Sequence, residues 1–167
     1  MIDLSEFVGY INETFDLVTG VPCTYFKEFL SYLAHQEEEL DVKHLYATRE
    51  DEAIAIAAGA ALSNKHALVY MQNSGVGNIG DALTSLTQLY KLPILILVSF
   101  RGLDDDSDFP EHSIMGKINN SLLESLELNY LDLREKNWLK LMDEALTLMK
   151  ERALPVVLMV NKGVLSE

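Results

Sequence analysis

Three short segments concentrate the side chains that could do chemistry: Gly20-Val21-Pro22-Cys23-Thr24, Thr48-Arg49-Glu50-Asp51-Glu52 and Gln72-Asn73-Ser74-Gly75-Val76-Gly77-Asn78. The second offers three carboxylates at the start of an alanine-rich stretch, where a helix macrodipole favours negative charge and where a carboxyl group can also exchange a proton. The third is a glycine turn that lets backbone come close to a ligand. It lacks the Lys-Ser/Thr ending of a phosphate loop, which disfavours a nucleotide triphosphatase. Further on stand Arg101-Gly102, with a guanidinium, and Pro110-Glu111-His112-Ser113, with a lone histidine that by itself signals no role. The acidic run Asp104-Asp105-Asp106-Ser107-Asp108 has neither the spacing nor the closing Glu of a calcium loop and reads as a solvated loop. Each feature taken singly also has a plain structural explanation: a helix start, a tight turn, a surface histidine.

The elements that must position these segments follow from hydrophobic spacing. Helical periodicity marks residues 4–14, 24–33, 53–62, 77–90, 113–126 and 138–149, the third of these rich in alanine and nearly uncharged. Short apolar runs at 15–18, 44–47, 67–71, 93–99, 130–133 and 155–160 read as strands. Six strands alternating with helices predict an α/β fold, a single doubly wound domain over residues 1–167 with a parallel sheet flanked by helices. Each of the three segments follows a predicted strand, so all three open on the carboxyl edge, where such sheets bind ligands.

Composition narrows the classes. A chain of 167 residues, 49% hydrophobic, is the size of one domain with an ample core. Asp and Glu outnumber Lys and Arg by 26 to 13, so a nucleic-acid backbone would be repelled, and a polyanionic cofactor needs a metal ion or a second protein to neutralise it. Cys23 is the single cysteine, which rules out an internal disulfide and a multi-thiolate metal site within one chain. No apolar run approaches the roughly 18 residues of a membrane span, and the N-terminus lacks a leader pattern. The cytoplasm is the expected compartment, without membrane association.

Read in order, Val21-Pro22-Cys23, Thr48-Arg49-Glu50-Asp51-Glu52-Ala53 leading to Ala57-Ala58-Gly59, and above all Met71-Gln72-Asn73-Ser74-Gly75-Val76-Gly77-Asn78 resemble the pyrimidine-binding domain of thiamine-diphosphate-dependent decarboxylases. The resemblance spans nearly the whole chain and is strongest to the phosphonopyruvate decarboxylase and sulfopyruvate decarboxylase alpha-subunit family. Arg101-Gly102 and Asp108-Phe109-Pro110-Glu111-His112-Ser113-Ile114-Met115-Gly116 look more like the phosphonopyruvate form. By this resemblance Glu50 would share a proton with a ring nitrogen of the cofactor's aminopyrimidine, a task that calls for a carboxyl group in a site sheltered from water. Asn73, Ser74, Gly75, Gly77 and Asn78 would line the cofactor, with side chains at the glycine positions excluded by clash. Pro22, Cys23 and Thr24 would contact the substrate, Arg101 would take its anionic head, and His112 would contact substrate and transfer protons. The implied reaction is loss of carbon dioxide from a small anionic 2-oxo acid: phosphonopyruvate to phosphonoacetaldehyde, or alternatively sulfopyruvate to sulfoacetaldehyde.

One departure from the family pattern matters. The segment Gly-Asp-Gly followed by an asparagine, which holds magnesium and diphosphate in such enzymes, does not occur here, and Gly80-Asp81 runs on into Ala82 within a predicted helix. The resemblance therefore implies that Mg2+ and the diphosphate are held by a separate beta subunit, in an alpha2-beta2 or larger hetero-oligomer, and that this chain holds no metal itself. Two other classes stay open at this point: a non-catalytic structural or regulatory subunit of the same fold, and an unrelated flavodoxin-like module.

Overall fold

A computed structural model describes residues 1–102 and 108–166. Asp3 starts helix α1 (Leu4–Thr14) by accepting the Glu6 amide on its carboxylate, and Phe7, Val8 and Ile11 bury one face of it. Then come β1 (Leu17–Gly20), a single 3-10 turn at Thr24–Phe26 leading into α2 (Lys27–His35), and β2 (Lys43–Tyr46). Helix α3 (Glu50–Leu62) precedes β3 (Ala67–Gln72), and β4 (Leu95–Ser99) precedes α4 (Ser113–Ser125). The chain closes with β5 (Asn129–Leu133), α5 (Trp138–Arg152) and β6 (Val156–Val160).

All six strands pair in parallel, in the order β2-β1-β3-β4-β6-β5. Alternate residues of the inner strands point to opposite faces and split the core into two layers. Leu68, Tyr70, Leu95, Leu97, Val156 and Leu158 pack with Phe7, Phe29, Trp138 and Met142 of α1, α2 and α5. Val69, Met71, Ile96, Val98, Val157 and Met159 pack with Ile54, Leu83 and Leu123 on the opposite side, under α3 and α4. Phe7 meets Phe29 and Trp138 edge to face, with ring centroids 5.5 and 5.4 Å apart, which orients the first layer as well as burying it.

The expected α/β class and doubly wound parallel sheet match this architecture. One element differs. The helix expected over residues 77–90 is two pieces: a 3-10 stretch at Asn73–Asn78, then a π-helical stretch at Ala82–Gln88. Gly75 and Gly77 lie within the first piece and give it poor helical support, and the wider π turn lets Leu83 and Thr87 stay buried beside α3. The first strand also begins two residues later than expected. Phe15 is still bound to α1 through its amide, and Asp16 uses its carboxylate to accept the His66 amide 2.8 Å away.

The chain leaves β1 for β2 on one side of it, while β3 lies on the other. That divergence opens a crevice above the carboxyl ends of β1 and β3.

Candidate active site

The loops that follow β1, β2, β3 and β4 meet at this crevice, and their side chains form two clusters.

The first is built on the start of α3. Of its three carboxylates, two are already engaged: Asp51 pairs with Arg49 at 3.0 Å, and Glu52 accepts both the amide and the hydroxyl of Thr48, at 2.7 and 2.6 Å. Glu50 instead turns to the glycine loop. The Asn78 amide donates to its Oε2 at 2.9 Å. Gly75 lies directly against it, since a Cβ built at Gly75 would sit 2.8 Å from Cδ and 2.9 Å from Oε1 of Glu50. At Gly77, by contrast, a Cβ would meet nothing within 4 Å, and the position is exposed. The two glycines thus differ in what they do. Gly75 makes room for a protein carboxylate, and Gly77 borders open space beside it.

The second cluster gathers around Gln72, the last residue of β3, whose register partner on β4 is Ser99. Cys23 lies over both, its Sγ 3.1 Å from Ser99 Oγ and 3.6 Å from Gln72 Oε1. Gln72 Nε2 donates to Ser74 Oγ at 2.8 Å and lies 3.4 Å from His112 Nδ1. Arg101, only 9% exposed, is held on all sides. It donates through Nε to Asp108 at 3.1 Å and again through Nη2 to the same carboxylate, donates through Nη1 to Thr24 Oγ1 at 3.1 Å, and covers the Tyr25 ring at 5.0 Å. Asp108 also accepts the amides of Gly102 and Phe109, at 3.0 and 2.9 Å. The guanidinium and these amides hold its carboxyl well below the usual carboxylate range, at about 2. His112 Nε2 is 3.9 Å from Asp108 Oδ1.

Backbone geometry fixes this arm. Gly102 has φ +80°, where a Cβ would run into the carbonyl of His112 and reach the Ser113 amide at 3.2 Å. A Cβ at Gly116 would in turn strike the Gly102 backbone. Arg101, His112 and the first turns of α4 are therefore packed backbone on backbone.

Most of the expected residues come together here, with distinct orientations. Asn73 is fully buried and its amide donates to the Arg101 carbonyl at 2.8 Å, so it joins the glycine loop to the arginine arm. Ser74, Thr24 and Pro22 are exposed at the rim, and Cys23 is half-buried. Residues Asp104 to Ser107 lie outside the described residues. Sequence reasoning placed Gln72 in a candidate segment without giving it a role of its own, and missed Ser99, Tyr25 and the engagement of Asp108. Gln72 and Ser99 are polar residues closing otherwise apolar strands, which is a legible signal. The Asp108 contacts have none, because no local pattern marks Asp108, rather than another acid of the run, as the partner of Arg101. Among the described residues no cluster of three or more His, Cys, Asp or Glu is placed to hold a metal ion, and no helix is long and apolar enough to cross a membrane.

No protein-family model matches the sequence. The sulfopyruvate decarboxylase subunit alpha of Methanococcus maripaludis is 38% identical over 136 residues, covering 81% of this chain and 75% of that protein. The same subunit of Methanocaldococcus jannaschii is 34% identical over 149 residues, covering 89% and 86%. The phosphonopyruvate decarboxylase of Streptomyces viridochromogenes is 34% identical over 113 residues, 68% of this chain and 28% of that longer protein. Among solved structures, a thiamine-diphosphate-dependent 4-hydroxybenzoylformate decarboxylase from Rhodococcus jostii shares the fold with a TM-score of 0.71 at 18% identity, over 95% of this chain and 30% of that one. A thiamine-diphosphate-dependent enzyme from Mycobacterium smegmatis gives 0.66 at 20% identity, over 95% and 30%. On the strength of its relatives, the chain belongs to the family of sulfopyruvate decarboxylase alpha subunits and the related phosphonopyruvate decarboxylases.

Proposed function

We propose that this chain is the pyrimidine-binding alpha subunit of a thiamine-diphosphate-dependent decarboxylase acting on a three-carbon 2-oxo acid with a terminal anionic group. Phosphonopyruvate, giving phosphonoacetaldehyde, is the first substrate to test. Sulfopyruvate, giving sulfoacetaldehyde, has equal support from the relatives whose extent this chain matches. One observation carries the reading. Glu50 stands at the first turn of α3 with one oxygen held by Asn78, its stem packed on Gly75 and open space at Gly77 beside it. A flat heterocycle edge fits there, since the glycine leaves a face with no side chain and the carboxyl can share a proton with a weakly basic ring nitrogen.

In this reading the cofactor, when bound, accepts the electrons released as carbon dioxide leaves. The chain's own residues do the rest. Glu50 holds or gives a proton at the ring nitrogen, and Asn78 fixes which carboxylate oxygen is free to do so. Arg101 offers a guanidinium to the substrate's anionic head, in competition with Asp108. His112 exchanges a proton with the substrate. The diphosphate and Mg2+ fall to a beta subunit, a division that suits a chain of net charge −13 and the absence of a Gly-Asp-Gly segment. The relatives are designated subunit alpha, which supports a two-chain enzyme.

The test is reconstitution. The chain is combined with a beta subunit bearing that segment, thiamine diphosphate and Mg2+, and the aldehyde formed from each 2-oxo acid is measured. Turnover of either substrate supports the assignment, and inactivity on both rejects it. Glu50→Gln, which keeps the shape and loses the exchangeable proton, abolishes turnover while the assembly persists. A fully active Glu50→Gln enzyme removes this residue from the reaction.

A further inference from the structure

Gln72 is not among the residues that the reading above puts to work, yet it touches His112, which is, and Cys23 and Ser74, which the resemblance implies at the substrate and the cofactor. Its amide is the meeting point of the loops after β1, β3 and β4: Oε1 faces the Cys23 thiol at 3.6 Å, and Nε2 donates to Ser74 Oγ at 2.8 Å and faces His112 Nδ1 at 3.4 Å. An amide NH2 group can only donate, so a ring nitrogen facing it must accept. His112 Nδ1 then carries no proton, and the neutral ring keeps its proton on Nε2. That nitrogen faces the Asp108 carboxylate at 3.9 Å, where a proton is electrostatically favoured. The two neighbours push the tautomer the same way. Asp108 is the charged partner of this ring among the ion pairs of the described residues, and it is itself paired with the Arg101 guanidinium.

The same amide has a second arrangement. Rotated by half a turn, it would place Oε1 toward Ser74 and His112 and Nε2 toward Cys23. The serine hydroxyl would become the donor and the thiol sulfur the acceptor, both roles that these groups can take. In that orientation the carbonyl accepts a proton-bearing Nδ1. An amide serves either protonation state of the imidazole without leaving a buried group unpaired, which neither a carboxylate nor an apolar side chain can do.

We propose that Gln72 is the positioning residue for His112: it sets the Nε2-protonated tautomer and, by rotating its amide, supports the ring when Nδ1 gains a proton. The catalytic consequence rests on the decarboxylase reading, whereas the tautomer does not. The test is therefore made first on the full chain labelled with nitrogen-15. Long-range proton–nitrogen correlation spectra distinguish a protonated from an unprotonated ring nitrogen, and a His112→Asn variant identifies the His112 signals among those of the four histidines. In the unsubstituted chain His112 shows an unprotonated Nδ1 and a protonated Nε2. Gln72→Glu, the same size but acceptor only, moves the proton to Nδ1 or charges the ring and raises its proton affinity by about tenfold or more. Gln72→Leu, which takes no part in hydrogen bonding, yields a mixture of tautomers. Unchanged signals from His35, His44 and His66 show that each variant is folded, and if one variant is not, the other decides. A His112 tautomer that is Nδ1-protonated at the outset, or identical in the unsubstituted chain and in whichever variants fold, overturns the proposal. In the reconstituted enzyme kcat falls roughly tenfold or more in Gln72→Leu with KM changed less, and its pH profile shifts. Loss of the tautomer without any change in the kcat profile would leave Gln72 as the tautomer's determinant and sink its catalytic role alone.

Discussion

Adding one methyl group at residue 75 is the sharpest probe of Glu50. The Cβ of Gly75→Ala would strike Glu50 Cγ and lie 2.8 Å from Cδ, against the 3.5 Å or more at which carbon atoms rest comfortably, so the Glu50 side chain must retreat by about 0.7 Å or more. The Asn78 hydrogen bond starts at 2.9 Å, and a retreat of that size carries it to the edge of hydrogen-bonding range. A displacement approaching 1 Å in a proton-sharing group costs about a hundredfold in rate. Stability responds far less. Gly75 does not have a positive φ, so the backbone accepts alanine and the unfolded chain becomes less flexible by about 0.4–1 kcal/mol, which offsets part of the cost of moving Glu50 and loosening an exposed hydrogen bond. The expected result is kcat of the reconstituted enzyme down by about two decades, with the melting temperature of the chain nearly unchanged. Gly77→Ala is the control, because its Cβ meets nothing within 4 Å. It melts at or above the parent temperature and loses cofactor affinity instead, read by titrating thiamine diphosphate into the complex. A Gly75→Ala enzyme within threefold of the parent rate would refute this geometry, and so would a Gly77→Ala enzyme that binds the cofactor normally.

The Arg101–Asp108 pair makes a second measurable statement. The Asp108 carboxyl falls from 3.8 to about 2, with 5% of its side chain exposed, so the native state binds this proton more weakly than the unfolded chain does. Its contribution, about 2 kcal/mol, is therefore present above pH 4 and fades as the pH drops toward 2. Asp108→Asn loses a comparable amount in urea unfolding at pH 7 and flattens the acid limb, and an unchanged acid limb would contradict the pairing. Gly102→Ala forces a side chain onto a backbone with φ +80° and into the His112 carbonyl, and the expected loss is about 2 kcal/mol or more in the same assay. Asn73→Ala leaves the Arg101 carbonyl without its 2.8 Å donor and costs about 1–3 kcal/mol, with KM rising more than kcat falls if Arg101 binds the substrate.

Periodicity read most of this molecule because the sheet is covered on both faces. Runs such as Leu95–Ser99 and Val156–Val160 are buried throughout and can be little else than inner strands. It failed at residues 77–90, where glycines followed by apolar residues at helical spacing conceal a 3-10 turn and a π turn, forms that the spacing of side chains does not distinguish. For the candidate site, motif reading picked out Glu50 from three neighbouring acids. In three dimensions the three acids differ, since Arg49 and Thr48 occupy Asp51 and Glu52 while Glu50 turns to Asn78. The engagement of Arg101 with Asp108 and Thr24 was invisible in the same way. It joins residues 77 positions apart through loops whose conformation the local sequence does not dictate.

The two side-chain clusters arise from different pairs of strands. The carboxylate and its asparagine follow β2 and β3, and the guanidinium with its aspartate and threonine follows β1 and β4. Exchange of segments between relatives is constrained accordingly. A graft that carries residues 21–25 together with the arm from Phe100 to Gly116 keeps the ion pair, the hydroxyl contact and the glycine-on-glycine crossing together, and still draws on Gln72, Asn73 and Ser99 of the recipient. A graft of either stretch alone would part Arg101 from the Thr24 hydroxyl and the Tyr25 ring, while its pairing with Asp108 would travel with the arm.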